Sequence, residues 1–359
     1  FTCANMFWWY NMYSNADYSV TPRPIYRADG LKLPDCYSHP PQLRDELQKH
    51  LGPFPLFKFW GPMTSIESSQ WIANASKEVY KKFEPTLNLI YLPHLDYNLQ
   101  RLGPNHQDIK NDLFEIDKVC KDLISFYESH DVEVILISEY GITEVKSDIA
   151  LNKLFREKGW LAVREELGGE LLDAGASKVF ALADHQIAHI YINDDSLKDD
   201  ILKLIESQKG IAQVIDPISN SGNDSIHNLH HDRTGDLIAI SQSDYWFSYY
   251  YWIDENKKPD FAKTVDIHRK PGYDPVEMFM DRGIIPKFKV LKTLLKKKLG
   301  FRYLMDVIPL DPNLIKGSHG APIDDLRKGP LIVGEFETDK KSVEAIDIFG
   351  ILLDKLELN

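Results

Sequence analysis

The most constraining feature of the chain is a strand–helix–strand pattern between residues 86 and 138. Thr86 to Leu92 (TLNLIYL) is a short, near-continuous apolar run, the pattern of a strand covered on both faces. An amphipathic helix follows from Ile109 to about Ser129, with Ile109, Leu113, Ile116, Cys120, Leu123, Ile124 and Tyr127 at helical spacing. Val132 to Ser138 (VEVILIS) reads as a second buried strand that runs into Glu139-Tyr140-Gly141. Two such strands joined through a helix make a βαβ unit, whose strands lie parallel. The expected fold class is therefore α/β, a mostly parallel central sheet flanked by helices. In such sheets, sites gather at the carboxyl ends of strands. That rule singles out Asp96 and Glu139.

The flanking sequence fills in the organisation. Turn residues crowd the first 60 positions, leaving room for one strand, an irregular excursion and a short helix around Gln42 to Leu51. A helix over Ser65 to Phe83 precedes the βαβ unit. Farther on, Lys178 to Ala183, Ala188 to Ile192 and Ile211 to Ile215 read as strands and Ser196 to Ser207 as a helix, an α+β patch suited to an inserted cap. Asp236 to Ser241 (DLIAIS) reads as a strand returning to the core. A lysine-rich helix over Lys287 to Leu299 and an amphipathic helix over Ser342 to Leu356 follow. The expected domains are a first core part over 1–150, a cap over 151–235 and a second core part over 236–359.

Charge and cysteine usage narrow the partners. The 42 basic and 54 acidic side chains leave a formal charge of −12, so generic attraction to nucleic acid is not expected. Phosphate, if handled, must be met by a local cationic device such as metal ions. Three cysteines at spacings that fit neither a metal ribbon nor a disulfide framework point to a reducing, cytoplasmic compartment. No apolar run approaches the roughly 20 residues that span a bilayer. The chain opens at Phe1 in strand-like sequence, which reads as a fragment.

Three loop motifs carry the candidate chemistry: Tyr91-Leu-Pro-His94-Leu-Asp96-Tyr-Asn-Leu-Gln100-Arg-Leu-Gly103-Pro104, Ser138-Glu139-Tyr140-Gly141-Ile142 and Gly317-Ser318-His319-Gly320. Their order and spacing resemble the alkaline phosphatase superfamily, in its type I phosphodiesterase/nucleotide pyrophosphatase branch. That branch has an Asp-x-x-Gly-His-x-x-Gly-Pro loop after a Tyr-containing strand, then Ser-Asp-His-Gly-Met, then a late His-Gly. The aromatic strand near Trp9 and the Arg23-Pro24 pair extend the resemblance over nearly the whole chain.

The resemblance implies an alkaline phosphatase-like core and a hydrolase of phosphate esters or nucleotide-like small molecules. Two divalent ions roughly 4 Å apart would clamp the phosphoryl group. Carried over by position, Asp96 and His319 would bind one ion and Glu139 the other. Gln100 stands where the family has a histidine, and Glu139-Tyr140 replaces Asp-His. The remaining set is oxygen-rich and favours Mn²⁺, Mg²⁺ or iron over Zn²⁺. The family's first metal Asp and its Thr or Ser nucleophile would lie upstream of Phe1. Without them, a sheet edge is expected to stay unpaired and solubility to be poor.

Other residues compete for the same roles. His94 lies two positions from Asp96 and would share its face on a continuing strand. His185 and His189 would share a strand face if no bulge intervenes. His268, in Asp266-Ile-His-Arg-Lys-Pro-Gly-Tyr-Asp-Pro275, rivals His319 for the late-histidine position. Trp9 and Tyr13 are candidate stacking residues for a base or sugar, although aromatic stripes more often build core. The rival reading is a non-catalytic binding protein on the same fold, motivated by the changed ligand positions. A mutase or sulfatase on this fold ranks third.

Overall fold

The computed structural model describes the chain apart from residues 29–30, 218–228, 230, 282–290, 297, 302–303, 324, 336–341 and 358–359. It divides into two compact units, the first comprising Phe1–Tyr97, Lys110–Gly141 and Gly329–Asn359, the second Asn98–Ile109 and Ile142–Lys328.

The first unit is built on a four-stranded sheet in the order Cys36–His39, Tyr18–Pro22, Cys3–Met6, Leu87–Ile90. Cys3–Met6 runs parallel to both neighbours, with Ala4 opposite Tyr18 on one side and Asn88 on the other. Cys36–His39 closes the edge antiparallel. The Ile66–Phe83 helix starts where the Ser65 hydroxyl accepts the Glu67 N–H and stops at Glu84, whose φ of 45° is left-handed. Its Trp71, Ile72, Ala75 and Val79 bury with Met6, Phe7, Val20 and Phe54. Its Ala73 and Tyr80 pack instead with Val119, Leu123 and Tyr127 of the Ile109–Glu128 helix. One helix therefore serves two cores.

The α/β class is borne out, but the mostly parallel central sheet is not: the sheets are small and mixed. The parallel partner of Leu87–Ile90 is Cys3–Met6. The 132–138 run contributes only Leu136–Ile137, paired antiparallel with Ile332–Val333. Val132 and Val134 alternate with charged Asp131 and Glu133 and pack partly buried against the helix layer. The apolar run that reads as a buried strand spends its side chains on helices.

The second unit holds an antiparallel sheet in the order Val179–Asp184, Ile187–Ile192, Leu237–Ser241, Ile211–Ile215. The Lys198–Glu206 helix inserts Ile201 and Ile205 into its core, beside Phe155, Ile190 and Leu237. The aromatic run at 245–252 joins this core: Phe247, Tyr249, Tyr251 and Trp252 are buried there. Of the lysine-rich helix, residues 291–296 are helical, while Lys287, Lys289 and Lys297 lie outside the described residues. The closing helix spans Asp347–Lys355. No helix among the described residues is long and apolar enough to cross a membrane.

Candidate functional site

In the first unit, the Leu87–Ile90 strand delivers the chain to a helix over His94–Leu102, so His94 and Asp96 are helical rather than strand neighbours. Two helical positions differ by about 200° around the axis, and the two side chains take different surroundings. Asp96 meets Tyr140, whose hydroxyl donates to Asp96 Oδ1 over 3.2 Å. Burial first, then the Asp96 carboxylate, pushes the Tyr140 phenol far above its ordinary range; Tyr91 and Glu139 add to the effect. The Tyr91 phenol is likewise pushed up, by burial first and then by Asp96, with Glu139 contributing. Asp96, Glu139 and Tyr140 thus come together, and Tyr91 joins them.

The aromatic loop after Cys3–Met6 splits by role. Phe7 turns into the core, while Trp8, Trp9, Tyr10 and Tyr13 stand exposed. Phe7, Tyr10 and Tyr13 all have left-handed φ, a backbone that holds only with outside support. Asn11 gives that support: its Nδ2 donates to the Asn5 carbonyl (3.1 Å), Asn5 Oδ1 (2.9 Å) and the Val20 carbonyl (3.0 Å). Trp9 meets Tyr91 edge-on at 6.4 Å, and Tyr13 rests on Tyr37 at 5.2 Å.

In the second unit, His185 sits at the hairpin turn between Val179–Asp184 and Ile187–Ile192 with φ 55°, so it shares no strand face with His189. Its ring lies 3.7 Å from that of His319 and 4.0 Å from that of Tyr273. The loop carrying His319 is held by backbone: Gln186 N–H donates to the His319 carbonyl (2.9 Å) and Lys316 N–H to the Gln100 carbonyl (2.9 Å). Gly317 must be glycine, because a Cβ there would lie 2.1 Å from the Leu99 carbonyl oxygen. Burial pushes the His319 imidazole down to about 3. His185 is driven well below its usual value by burial and then by His319. Both rings are neutral at pH 7, the form that ligates metals.

Gln100 is fully buried, and neither its amide oxygen nor its nitrogen has a hydrogen-bond partner among the described residues. The same holds for Ser318 Oγ and His185 Nδ1. Orphaned buried polar atoms each cost about 1–3 kcal/mol, so a polar ligand or metal ion suits this donor set. His268, the rival of His319, stands exposed in a turn.

Sequence reasoning missed Asp112 and Glu115, whose carboxylates approach His94. Their i,i+3 spacing on the Ile109–Glu128 helix, which places both on one face, was the available signal.

The family described as type I phosphodiesterase / nucleotide pyrophosphatase matches residues 1–274, and the chain belongs to that family. Among solved structures, murine ectonucleotide pyrophosphatase / phosphodiesterase 5 is similar at 13% identity and TM-score 0.48, over 82% of this chain and 60% of that one. The human protein of the same name gives 14% identity with the same TM-score and coverage. Phosphonoacetate hydrolase from Sinorhizobium meliloti gives 13% and 0.36, over 51% of this chain and 43% of that one. The chain therefore spans about 60% of the length of the first two. No curated protein matches the sequence.

Proposed function

We propose that the chain hydrolyses phosphate esters of nucleotide-like size with the help of divalent cations. The observation that carries this reading is the convergence of Asp96 and Glu139 on the Tyr91 and Tyr140 phenols, in a chain of this family. Carboxylate oxygens are hard ligands and suit Mn²⁺, Mg²⁺ or iron, with Zn²⁺ served better where imidazole joins. A bound ion supplies charge neutralisation of the phosphoryl oxygens and acidifies the attacking group.

The chain's own residues then have separable tasks. Asp96 and Glu139 hold the cation through carboxylate oxygens. Tyr140 keeps its proton at neutral pH and orients Asp96 by donating to it; direct ligation would require losing that proton. Within the second unit, neutral His319 offers an imidazole nitrogen and the buried Gln100 an amide oxygen, the donors proposed for a cation there. Trp9 and Tyr13, exposed on a pinned loop, are the proposed stacking residues for a base or sugar.

The full-length protein with Mn²⁺ is expected to release nitrophenolate from bis(4-nitrophenyl) phosphate, and Asp96→Ala to lower that rate at least a hundredfold. Undiminished turnover in the variant would remove Asp96 from the mechanism. Gln100 and Tyr140, at positions where the family has imidazoles, favour a second reading as a non-catalytic binder. Binding of AMP without hydrolysis of bis(4-nitrophenyl) phosphate would select it.

A further inference from the structure

We propose that His94, Asp112 and Glu115 form a second cation site, for a transition ion such as Zn²⁺, within the first unit. One ligand atom from each lies within 4.8 Å of the others. His94 opens its helix, and Asp112 and Glu115 lie one turn apart at the start of the Ile109–Glu128 helix. The ion would tie two helix starts together.

The spacing argues for ligation rather than a plain ion pair. His94 Nε2 stands 3.4 Å from Glu115 Oε2 and 3.7 Å from Asp112 Oδ1. An imidazolium N–H donating to a carboxylate closes to about 2.7–2.9 Å. Two ligand atoms each about 2.0–2.1 Å from a tetrahedral Zn²⁺ stand about 3.4 Å apart. The 3.4 Å separation equals the second geometry, and the 3.7 Å separation lies nearer to it than to a closed hydrogen bond. An independent observation points the same way: Asp112 is only 7% exposed, and its Oδ2 is buried with no hydrogen-bond partner among the described residues. A buried carboxylate oxygen left so is costly unless something positive meets it. Glu115, with its side chain 49% exposed, leaves the fourth position open to water and to exchange with solvent.

One imidazole with two carboxylates is a mixed set that binds Zn²⁺ well and Mn²⁺ or Fe²⁺ less tightly. Mg²⁺ prefers an all-oxygen shell with several waters and is disfavoured. The site stands whether or not Asp96 has the hydrolytic role. Its ligands also differ from those assigned to hydrolysis.

The test is titration of the chelator-stripped full chain with Zn²⁺ alone, counting equivalents by elemental analysis and affinity by competition with a chromophoric chelator. Glu115→Gln, half exposed and so harmless to folding, is expected to weaken one equivalent at least tenfold. Asp112→Asn should lose that equivalent, and Asp96→Ala should keep it. Co²⁺ loaded into the same equivalent should give visible absorption typical of four-coordination, absent in Asp112→Asn. Unchanged stoichiometry and affinity in Glu115→Gln would overturn the site. The two readings fail separately, since hydrolysis is read from nitrophenolate release and this site from bound zinc.

Discussion

The two units keep polar groups out of water by different means. In the first, carboxylates face phenols and an imidazole at the starts of helices: Asp96 with Tyr91 and Tyr140, and Asp112 and Glu115 with His94. In the second, neutral imidazoles and amides occupy a hairpin turn and a loop stitched by backbone hydrogen bonds, as with His185, His319, Gln186 and Gln100. Charge near low-dielectric surroundings must be matched by a counter-charge or given up. The carboxylates of the first unit sit beside hydroxyl and imidazole groups. The imidazoles of the second unit give up their charge. The lesson is that burial leaves acidic oxygen donors in the first unit and neutral imidazole and amide donors in the second, two sets with different tastes in ligand.

The largest test of this contrast uses an exception to it. In the second unit Lys270 Nζ lies 2.7 Å from Asp274 Oδ2 and 2.6 Å from Glu277 Oε1, with all three side chains at most 1% exposed. This cluster braces the segment whose Gly272 lies against Ala183 and whose Tyr273 lies against His185. Lys270→Ala strands two buried carboxylates and is expected to cost about 3–5 kcal/mol in urea unfolding. A loss below about 1 kcal/mol would mean that these carboxylates accept protons cheaply. The contrast between the units would then soften.

The next effect belongs to the first unit and is read through pH. Burial alone would push the Asp35 carboxyl up, but the Arg44 guanidinium, the Cys36 amide and Gln48 outweigh it and hold it below its ordinary value. The partners lie close: Arg44 Nε at 2.8 Å, Arg44 Nη2 at 2.7 Å, Cys36 N–H at 2.8 Å and Gln48 Nε2 at 2.7 Å. A carboxyl lowered on folding contributes stability that is present above its unfolded value near 3.8 and is lost as pH falls through the folded one. Asp35→Asn should cost about 1.5–3 kcal/mol at pH 7 and flatten the acid limb of the stability curve. An unchanged acid limb would assign that limb to other carboxylates.

The contrast also explains what could be read without a structure. The local patterns were legible: Gln42–Leu51, Ile66–Phe83 and Ile109–Glu128 are helices, and the strands near 180, 190 and 213 form where the sequence reads as strand. The pairing of Leu87–Ile90 with Cys3–Met6 was not, because apolar runs state burial and leave the partner open. The same limit misplaced 132–138, whose valines bury on helices. The meeting of Asp96 with Tyr140 could be anticipated from the motif spacing alone, although Asp96 sits in a helix and not at a strand end. The stacking of His185 on His319 joins residues 134 apart through a turn with left-handed backbone, which nothing in the local sequence announces. Asp112 and Glu115 hid for the opposite reason, since an acidic residue in a first helical turn and another on the next are ordinary on a solvated helix.

The smallest expected effect is the most informative about function. Tyr140→Phe removes one hydroxyl that donates to Asp96 over a long 3.2 Å, which puts it at the weak end of the about 1.5–3 kcal/mol that a hydrogen bond to a charged group contributes. Stability should therefore change by no more than about 1–2 kcal/mol, less than for Lys270→Ala or Asp35→Asn. Metal affinity responds more sharply when a ligand loses the partner that orients it, by about 10–100-fold. Under the hydrolytic reading, Tyr140→Phe keeps the fold, weakens Mn²⁺ binding and lowers turnover at limiting metal, with recovery at saturating Mn²⁺. If turnover falls equally at saturating metal, Tyr140 acts on the substrate instead of on Asp96. The first unit's phenols would then be catalytic groups, and the carboxylate–phenol pairing that sets it apart would serve the reaction directly.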